Sequence, residues 1–245
     1  MTDALLPPPP LEPARHCLLL DFDGTLVDLV DRPDGVVVDA PLVDLLCRLR
    51  GTFAGRIALV SGRSIAQVDA FLGEKVPGIA VVGSHGAELR IGDALIVPDR
   101  PAALVDAEQA LRDEFRGDDR VVIEVKSLGV AAHYRMAPQH EAAARHLVTE
   151  YAGADGLVVQ DGKMMVELRV GGQDKGSGIN ALLNHAPFAG RVPVFAGDDV
   201  TDEAGFLAVA DHGGVGVLVG AERPTAARYR LDDVAAVRRW LGEAA

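Results

Sequence analysis

The 245-residue chain has little cysteine, few aromatic residues and fewer basic than acidic side chains. Its two cysteines, Cys17 and Cys47, stand in apolar segments, so we expect buried thiols and no disulfide framework. This usage fits a reducing, cytoplasmic compartment. Aromatic residues make up 4% of the chain and apolar residues 49%, a composition that excludes a disordered protein and is typical of a globular one.

Positive charge is scarce, since 24 Lys and Arg stand against 36 Asp and Glu and the formal net charge is −12. Such a chain repels phosphate backbones, which argues against nucleic-acid binding. The same charge repels a small anionic substrate. Any phosphate site must therefore be made locally positive, by a metal ion or by a few Lys and Arg side chains.

Long apolar runs are also lacking, because no run approaches the roughly 20 residues that span a membrane. The first ten residues, MTDALLPPPP, do not have the basic and apolar regions of a signal peptide. We expect residues 1–14 to form a flexible tail that the prolines stiffen. The alternative for this tail is a polyproline segment that binds a partner.

Apolar segments and amphipathic segments alternate along the chain, which predicts an α/β fold with a parallel sheet. The predicted strands are 17–22, 56–60, 79–83, 192–196 and 215–219, and the predicted helices are 41–50, 64–72, 176–186, 202–210 and 231–242. The strand 17–22 is apolar throughout, as expected for a central strand covered on both faces.

This alternation of segments changes between residues 98 and 172, where we predict an inserted domain with the order helix, hairpin, helix, hairpin. The predicted core domain then consists of 15–97 and 173–245. Apolar residues recur at helical spacing in 103–116 and 140–152. Strands with strict alternation are predicted at 121–126, 130–135 and 163–170.

The alternating strands of the inserted domain have one apolar face, which should pack on its two helices, and one polar face. The polar face carries Glu124, Lys126, His133, Arg135, Lys163, Glu167 and Arg169. Carboxylates and Lys can hydrogen-bond sugar hydroxyls. From the pattern alone, this face is either a solvated surface or a binding surface.

Asp21 and Asp23 follow directly on the first predicted strand, in the order Asp-Phe-Asp-Gly-Thr. Open α/β sheets bind ligands beyond the carboxyl ends of their strands, and Gly24 permits a sharp turn there. The alternative is a local turn with a second, solvated Asp. The full five-residue sequence behind a buried strand favours a site.

A second acidic cluster, Asp198, Asp199 and Asp202, follows the predicted strand 192–196. One such cluster alone would indicate a helix N-cap. Two clusters at the ends of two parallel strands repel each other and need a cation. Carboxylate oxygens suit Mg²⁺.

Two further motifs stand where a predicted helix begins. Ser61-Gly62-Arg63 follows a strand, and the free N–H groups of the helix after it can hold an anion. Lys175 with Gly176 opens another helix. Taken alone, the first motif indicates only an N-cap and the lysine only a solvated side chain.

In this order, the four motifs DxDGT, SGR, KG and GDDxTD resemble the pattern of haloacid dehalogenase phosphatases. The segments GSHGAE and HYR, and a K-x-x-x-E spacing at Lys163–Glu167, are similar to those of trehalose-6-phosphate phosphatases. The resemblance implies a Rossmann-like parallel sheet core with helices on both faces and an inserted α+β cap domain. It also implies a cytoplasmic phosphatase that acts on a small sugar phosphate, in functional pairing with a trehalose-phosphate synthase.

The resemblance gives each motif a role. It implies Asp21 as the nucleophile that becomes an aspartyl phosphate, Asp23 as general acid and then base, and Lys175 as the countercharge. It implies phosphate binding by Thr25, Ser61, Gly62 and Arg63. The implied Mg²⁺ ligands are Asp21, Asp198 and the backbone carbonyl of Asp23, with support from Asp199 and Asp202. On the cap, it implies that Glu124, Lys126, His133, Arg135, Lys163 and Glu167 face the crevice of the core and bind the sugar.

The implied reaction is hydrolysis of trehalose 6-phosphate to trehalose and phosphate. Two alternatives remain open from the sequence. One is a phosphatase for another sugar phosphate, such as glucosylglycerol phosphate or sucrose phosphate. The other is a protein that binds phosphosugars on the same fold without catalysis.

Overall fold

The computed structural model describes residues 5–30 and 35–245. They form two compact units. The first contains the described residues up to Ile96 together with Asp174–Ala245, and the second is Val97–Gln173. The second unit thus runs one residue further at each end than the inserted domain that the sequence predicted.

The first unit is built on an eight-stranded sheet. In chain order its strands are β1 (His16–Leu20), β2 (Ile57–Val60), β3 (Ala80–Gly83), β4 (Glu88–Ile91), β5 (Ala94–Ile96), β10 (Val192–Gly197), β11 (Val215–Val219) and β12 (Tyr229–Leu231), with β6–β9 in the second unit. The spatial order is β12-β11-β10-β1-β2-β3-β4-β5. All neighbours pair in parallel except β3 with β4 and β4 with β5, so β1 lies centrally between β10 and β2.

Helices cover both faces of this sheet. They are α1 (Ala40–Thr52), α2 (Ile65–Phe71), α5 (Lys175–Leu183), α6 (Glu203–Asp211) and α7 (Val234–Gly242). Successive side chains of β1 enter opposite cores: Leu18 and Leu20 pack with α1, α2 and α7, whereas Cys17 and Leu19 pack with α5 and α6. The expectation of an α/β fold with a Rossmann-like core is confirmed.

Side-chain caps fix where these helices begin. Asp39, Ser64, Asp174 and Asp233 each accept a hydrogen bond from a backbone N–H of the first helical turn. Such a cap satisfies one of the N–H groups that a helix start leaves unpaired and contributes about 1 kcal/mol. Ser64 and Asp174 thereby set the starts of α2 and α5 directly beside the Ser-Gly-Arg motif and Lys175.

The second unit has the order helix, hairpin, helix, hairpin. Its elements are α3 (Ala102–Glu114), β6 (Val122–Lys126), β7 (Gly129–His133), α4 (Glu141–Glu150), β8 (Leu157–Gly162) and β9 (Met165–Val170). The four antiparallel strands lie in the order β6-β7-β9-β8. Apolar residues of alternate strand positions, such as Val130 and Leu168, form a core with Leu104, Leu111 and Val148 of the helices.

Two residues expected on the polar strand face lie outside the strands. Lys163 stands in the turn between β8 and β9 and is exposed, because the chain reverses there with Met164 at a φ of +61°. Arg135 lies in the turn after β7, which ends at His133. Their expected positions on this face were wrong.

The N-terminal segment differs from the flexible tail that was predicted for residues 1–14. Residues 1–4 lie outside the described part of the chain. Beyond them, the Leu6 carbonyl accepts from the Arg230 amide (3.0 Å), the Pro9 carbonyl accepts from the Trp240 indole (3.0 Å), and Leu11 joins the core. A proline lacks an N–H but keeps its carbonyl acceptor, so a proline-rich segment can still dock on a domain.

The two cysteines differ in burial. Cys17 is buried in β1, and burial raises the pKa of its thiol to about 12. Cys47 is exposed, which corrects the expectation that both are buried, because α1 turns Leu46 and Leu49 inward and Cys47 outward. Among the described residues, no helix combines the length and apolar character needed to cross a membrane.

Candidate active site

Three sequence motifs lie at the same edge of the core sheet because they follow three neighbouring parallel strands. Asp21 follows β1, Asp198 follows β10 and Ser61 follows β2. The backbone N–H of Asp21 continues the pairing by donating to the Ala196 carbonyl at 2.9 Å. This edge is the one at which open α/β sheets bind ligands.

Three carboxylates converge there. One carboxylate oxygen from each of Asp21, Asp198 and Asp202 lies within 4.8 Å of the other two. Asp21 is 4% exposed and Asp202 is fully buried. Buried like charges at this spacing repel one another and favour a cation between them.

The donor set fits a hard divalent ion such as Mg²⁺. Oδ1 of Asp198 is buried and has no hydrogen-bond partner in the described part of the chain. A Cβ at Gly24 would lie 2.1 Å from Oδ2 of Asp198. The carboxylate can therefore occupy this position only because Gly24 has no side chain. Carboxylates, backbone carbonyls and waters are the ligands that Mg²⁺ prefers.

Lys175 provides the positive charge of this cluster. Its Nζ donates to Oδ1 of Asp21 at 2.8 Å and to Oδ1 of Asp202 at 2.6 Å, and its side chain is 4% exposed. The Asp174 cap places Lys175 at the first position of α5, from where the side chain reaches both carboxylates. Lys175 therefore balances charge that this acidic protein would otherwise bury unpaired.

Burial and charge shift the protonation of these groups. Burial raises the pKa of Asp21 well above its ordinary range against the opposing charge of Lys175, and the charges of Asp202 and Asp198 raise it further. Burial, followed by the charge of Asp202, raises the pKa of Asp198 to about 6. Burial alone would lower the pKa of Lys175, but Asp21 and Asp202 raise it, so the side chain stays an ammonium ion.

Asp23 is oriented differently from Asp21. Its carboxylate pairs with Arg63 through two hydrogen bonds, from Nε to Oδ2 at 2.6 Å and from Nη2 to Oδ1 at 2.7 Å. The turn that follows Asp23 is tight, since the Gly24 N–H donates to the Val27 carbonyl at 2.7 Å. The family resemblance implied that Arg63 binds phosphate, whereas in the structure it binds the carboxylate of Asp23.

The other expected phosphate-binding residues surround the ends of β1 and β2. Thr25 is fully buried, and its Oγ1 has no hydrogen-bond partner among residues 5–30 and 35–245. Ser61 is 1% exposed, and its Oγ accepts from the Arg63 amide at 3.0 Å. Gly62 lies against the ring of His85, where a Cβ would come within 2.7 Å of Cε1.

Asp199 and Asp202 have separate roles in the 3₁₀ turn at Val200–Asp202. The Asp199 side chain accepts from the Val200 amide at 2.6 Å, and Oδ2 of Asp202 accepts from the Asp199 amide at 2.9 Å. Asp202 therefore joins the carboxylate cluster while it also holds the turn. Asp199 is exposed, and its carboxylate is not one of the three that converge.

The loop after β3 was given no site residues by the sequence analysis. Ser84 and His85 both have positive φ, +47° and +55°, which is costly for residues other than glycine. Glu88 accepts from the Ile65 amide at 2.6 Å and from Ser84 Oγ at 2.9 Å, which ties this loop to the start of α2. The segment GSHGAE was the signal that singled out this loop.

Within the second unit, the polar face of the sheet carries one His–Glu contact and one Lys–Glu ion pair. His133 Nε2 lies 2.8 Å from Oε2 of Glu124, and Lys126 Nζ donates to Oε2 of Glu167 at 2.7 Å. Glu167 is 2% exposed. A Cβ at Gly129 would lie 2.6 Å from Oε1 of Glu167, so this glycine leaves room for the carboxylate.

Comparison with known proteins matches residues 19–235 to the family described as trehalose-phosphatase. The chain belongs to the trehalose-phosphatase family. It is 38% identical over 244 residues to the trehalose-6-phosphate phosphatase of Escherichia coli K12, covering 98% of this chain and 90% of that protein. It is 36% identical over 256 residues to the trehalose-phosphate phosphatase of Mycobacterium marinum, covering 99% of this chain and 64% of that protein.

Solved structures agree with this membership. A trehalose-6-phosphate phosphatase related protein matches with a TM-score of 0.73 and 27% identity over 93% of this chain and 96% of that chain. The C-terminal domain of the Candida albicans trehalose-6-phosphate phosphatase matches with a TM-score of 0.77 over 99% of both chains, and at 20% identity this likeness shows the fold alone. The resemblance inferred from the motifs is confirmed, and the names describe phosphatases, which are hydrolases.

Proposed function

We propose that this protein hydrolyses trehalose 6-phosphate to trehalose and phosphate with Mg²⁺ as its cofactor. The observation that carries the proposal is the buried Asp21 carboxylate at the end of β1, which lies beside Lys175 and two further carboxylates. We propose Asp21 as the nucleophile, Lys175 as its countercharge and the three carboxylates as the donors for the cation, all at one edge of the sheet. The names of the relatives support trehalose 6-phosphate as the substrate.

The chemistry divides between Asp21 and Asp23. In the first half, an Asp21 oxygen forms a bond to phosphorus while the bond from phosphorus to the sugar oxygen breaks, and Asp23 gives its proton to that oxygen. In the second half, Asp23 takes a proton from water, which attacks phosphorus and releases Asp21. Lys175 compensates the charge of Asp21 in both halves.

Asp21, Asp198 and the backbone carbonyl of Asp23 would hold the Mg²⁺, with Asp202 and Asp199 in support. The bound ion neutralises phosphate charge and orients the ester toward Asp21. The buried hydroxyls of Thr25 and Ser61 and the backbone at Gly62 are proposed to bind phosphate oxygens.

Sugar recognition is proposed for the second unit. Glu124 with His133 and Lys126 with Glu167 form two hydrogen-bonded pairs on one face of the sheet, and these polar groups can instead hydrogen-bond sugar hydroxyls. Arg135 and Lys163 are proposed to contribute from their turns. We further propose that a trehalose-phosphate synthase supplies the substrate and that the protein works in the cytoplasm.

A panel of phosphate esters tests the proposal. Phosphate release is measured with and without Mg²⁺ from trehalose 6-phosphate, sucrose phosphate, glucosylglycerol phosphate and 4-nitrophenyl phosphate. We expect the highest kcat/KM for trehalose 6-phosphate, and only with Mg²⁺. Asp21→Asn, which keeps the shape of the side chain, should abolish turnover.

Each other outcome of the panel has a defined meaning. A higher kcat/KM for another sugar phosphate retains the chemistry and rejects the substrate. Binding of trehalose 6-phosphate with no phosphate release from any ester would instead establish a non-catalytic phosphosugar-binding protein.

A further inference from the structure

We propose that Arg63 is a positioning residue that acts on the reaction through Asp23, rather than a ligand of the substrate phosphate. This inference rests on the proposed phosphatase function. It concerns two residues that lie 40 positions apart in the sequence and that the fold brings into direct contact.

The geometry of the pair is that of a guanidinium fork on a carboxylate. Nε and Nη2 of Arg63 each bind a different oxygen of Asp23, at 2.6 and 2.7 Å. Two parallel charge-assisted hydrogen bonds fix the plane of a carboxylate as well as its position, which a single donor does not. The side chain of Asp23 is 28% exposed, so this contact, rather than close packing on every side, determines its orientation.

The guanidinium is itself held in place. Its central carbon lies 4.9 Å from the ring centroid of Phe71 and 6.0 Å from that of Phe22, and the side chain is 11% exposed. Contacts of a guanidinium with aromatic faces are attractive. The backbone N–H of Arg63 donates to Ser61 Oγ, so the fork is anchored at the end of β2.

Charge also favours this assignment. A phosphate bound beside Asp21 would have Lys175 and the proposed Mg²⁺ as positive partners, since Lys175 donates to Asp21, whereas Arg63 is the cation at hydrogen-bond distance from Asp23. As the general acid, Asp23 carries its proton on one oxygen, which then leaves its hydrogen bond with Arg63, while the hydrogen bond from Arg63 to the other oxygen keeps the direction of the side chain. That direction matters, since a displacement of about 1 Å in a catalytic group can cost about 100-fold in rate. Arg63 supplies that direction.

The test compares two phosphate esters whose leaving oxygens differ in how much they need protonation by a general acid. The sugar oxygen of a sugar phosphate leaves poorly without a proton, whereas 4-nitrophenolate leaves without one. We expect Arg63→Ala to lower kcat/KM for the sugar phosphate about 100-fold, the size of a general acid–base contribution, and for 4-nitrophenyl phosphate by less than about 5-fold. Arg63→Lys, which keeps the charge and loses the fork, should fall between wild type and Arg63→Ala.

A double-variant cycle makes the same distinction independently. In an Asp23→Asn background, Arg63→Ala should cause no further loss of kcat/KM on the sugar phosphate, although it causes about 100-fold loss when Asp23 is present. The matched control is Arg90→Ala, which removes another Arg–Asp pair of this unit, to Asp69 at 2.6 Å, and should leave the ratio between the two esters unchanged.

Equal losses on both esters, or the same loss with and without Asp23, would show that Arg63 binds phosphate and would overturn the proposal. Thermal unfolding monitors the fold, and Arg63→Lys decides the question if the alanine variant does not fold. A wild type that prefers a different sugar phosphate rejects only the proposed substrate, and the comparison is then made with that ester. A wild type that hydrolyses none of the esters overturns the proposed function and the role of Arg63 with it.

Discussion

Gly24 and Asp198 approach each other so closely that a Cβ on Gly24 would lie 2.1 Å from Oδ2 of Asp198. Gly24 also has a φ of +79°, a conformation that residues with a side chain rarely adopt. The glycine of the turn after β1 therefore serves two purposes. It allows the turn, and it leaves the place that the Asp198 carboxylate occupies.

We expect Gly24→Ala to abolish Mg²⁺-dependent phosphate release, because the added methyl displaces Asp198. The matched control is Gly55→Ala, since Gly55 has the same φ of +79° and nothing within 4 Å of its Cβ position. Both variants should lose about 1–2 kcal/mol of stability from the left-handed backbone. Only the first should lose activity, and a Gly24→Ala enzyme with wild-type turnover would contradict the metal-site assignment.

Lys175→Met should destabilise the protein, because it leaves Asp21 and Asp202 buried without their shared countercharge. Removal of one partner of a buried ion pair costs about 3–5 kcal/mol. The measurement is the free energy of unfolding in denaturant. Adding Asp202→Asn should restore part of that stability and none of the activity, because the nucleophile still lacks its countercharge. An unchanged unfolding free energy in Lys175→Met would refute this account.

The raised pKa of Asp198, about 6, predicts how pH affects the metal-free protein. Between the unfolded pKa of about 3.9 and the folded value, the folded state holds a proton that the unfolded chain has lost. The stabilisation from this group is therefore present below the unfolded pKa and is lost as pH rises through about 6. With EDTA present, the unfolding free energy should fall across this window.

Mg²⁺ binding should also depend on the ionisation of Asp198, because the ion binds the ionised carboxylate and releases its proton. We expect fewer protons to be released per Mg²⁺ at pH 7 than at pH 5, because more of Asp198 is already ionised before the ion binds. Calorimetric titration in buffers of different ionisation enthalpy measures this number. Proton release that does not change with pH would contradict the shifted pKa.

The N-terminal segment should contribute to stability, because the Pro9 carbonyl accepts from the indole of Trp240, which is the one tryptophan of the chain. Removal of residues 1–10 takes away this acceptor and uncovers the indole. We expect a lower melting temperature and a red shift of the tryptophan emission. Removal of residues 1–4 alone keeps the acceptor and serves as the control. Identical emission in both truncations would restore the expectation of a free tail.

The position of the site was predictable because it depends on strand ends. A parallel sheet brings the residues after β1, β2 and β10 to one edge, and apolar runs identify those strands. The pairing of Asp23 with Arg63 was not predictable, because charges far apart in sequence have no local pattern. The role of Lys175 came from the family resemblance, since a single lysine before a glycine carries no signal of its own.

The features that the sequence did not predict each lack a local pattern. The strands β4, β5 and β12 have four residues or fewer, which is too short for an alternating pattern to be seen. The positive φ at Met164, which places Lys163 in a turn, also carries no mark in the sequence. The N-terminal prolines were assigned to a tail because composition does not show which carbonyls find a donor.

Glu167 in β9 is expected to determine sugar selectivity, and Gly129 in β7 allows a sharp test. In Gly129→Ala the new methyl would lie 2.6 Å from Oε1 of Glu167. Because that atom is the end of a side chain, the strand can stay in place while the carboxylate turns away from Lys126. Loss of one hydrogen bond to a charged group costs about 1.5–3 kcal/mol, so KM for trehalose 6-phosphate should rise at least about tenfold. The kcat/KM for 4-nitrophenyl phosphate should not change.

The matched control is Gly162→Ala, whose methyl would meet the sulfur of Met165 at 2.3 Å in the same sheet and should leave both values unchanged. If KM for trehalose 6-phosphate stays at the wild-type value in a folded Gly129→Ala protein, Glu167 does not bind the sugar.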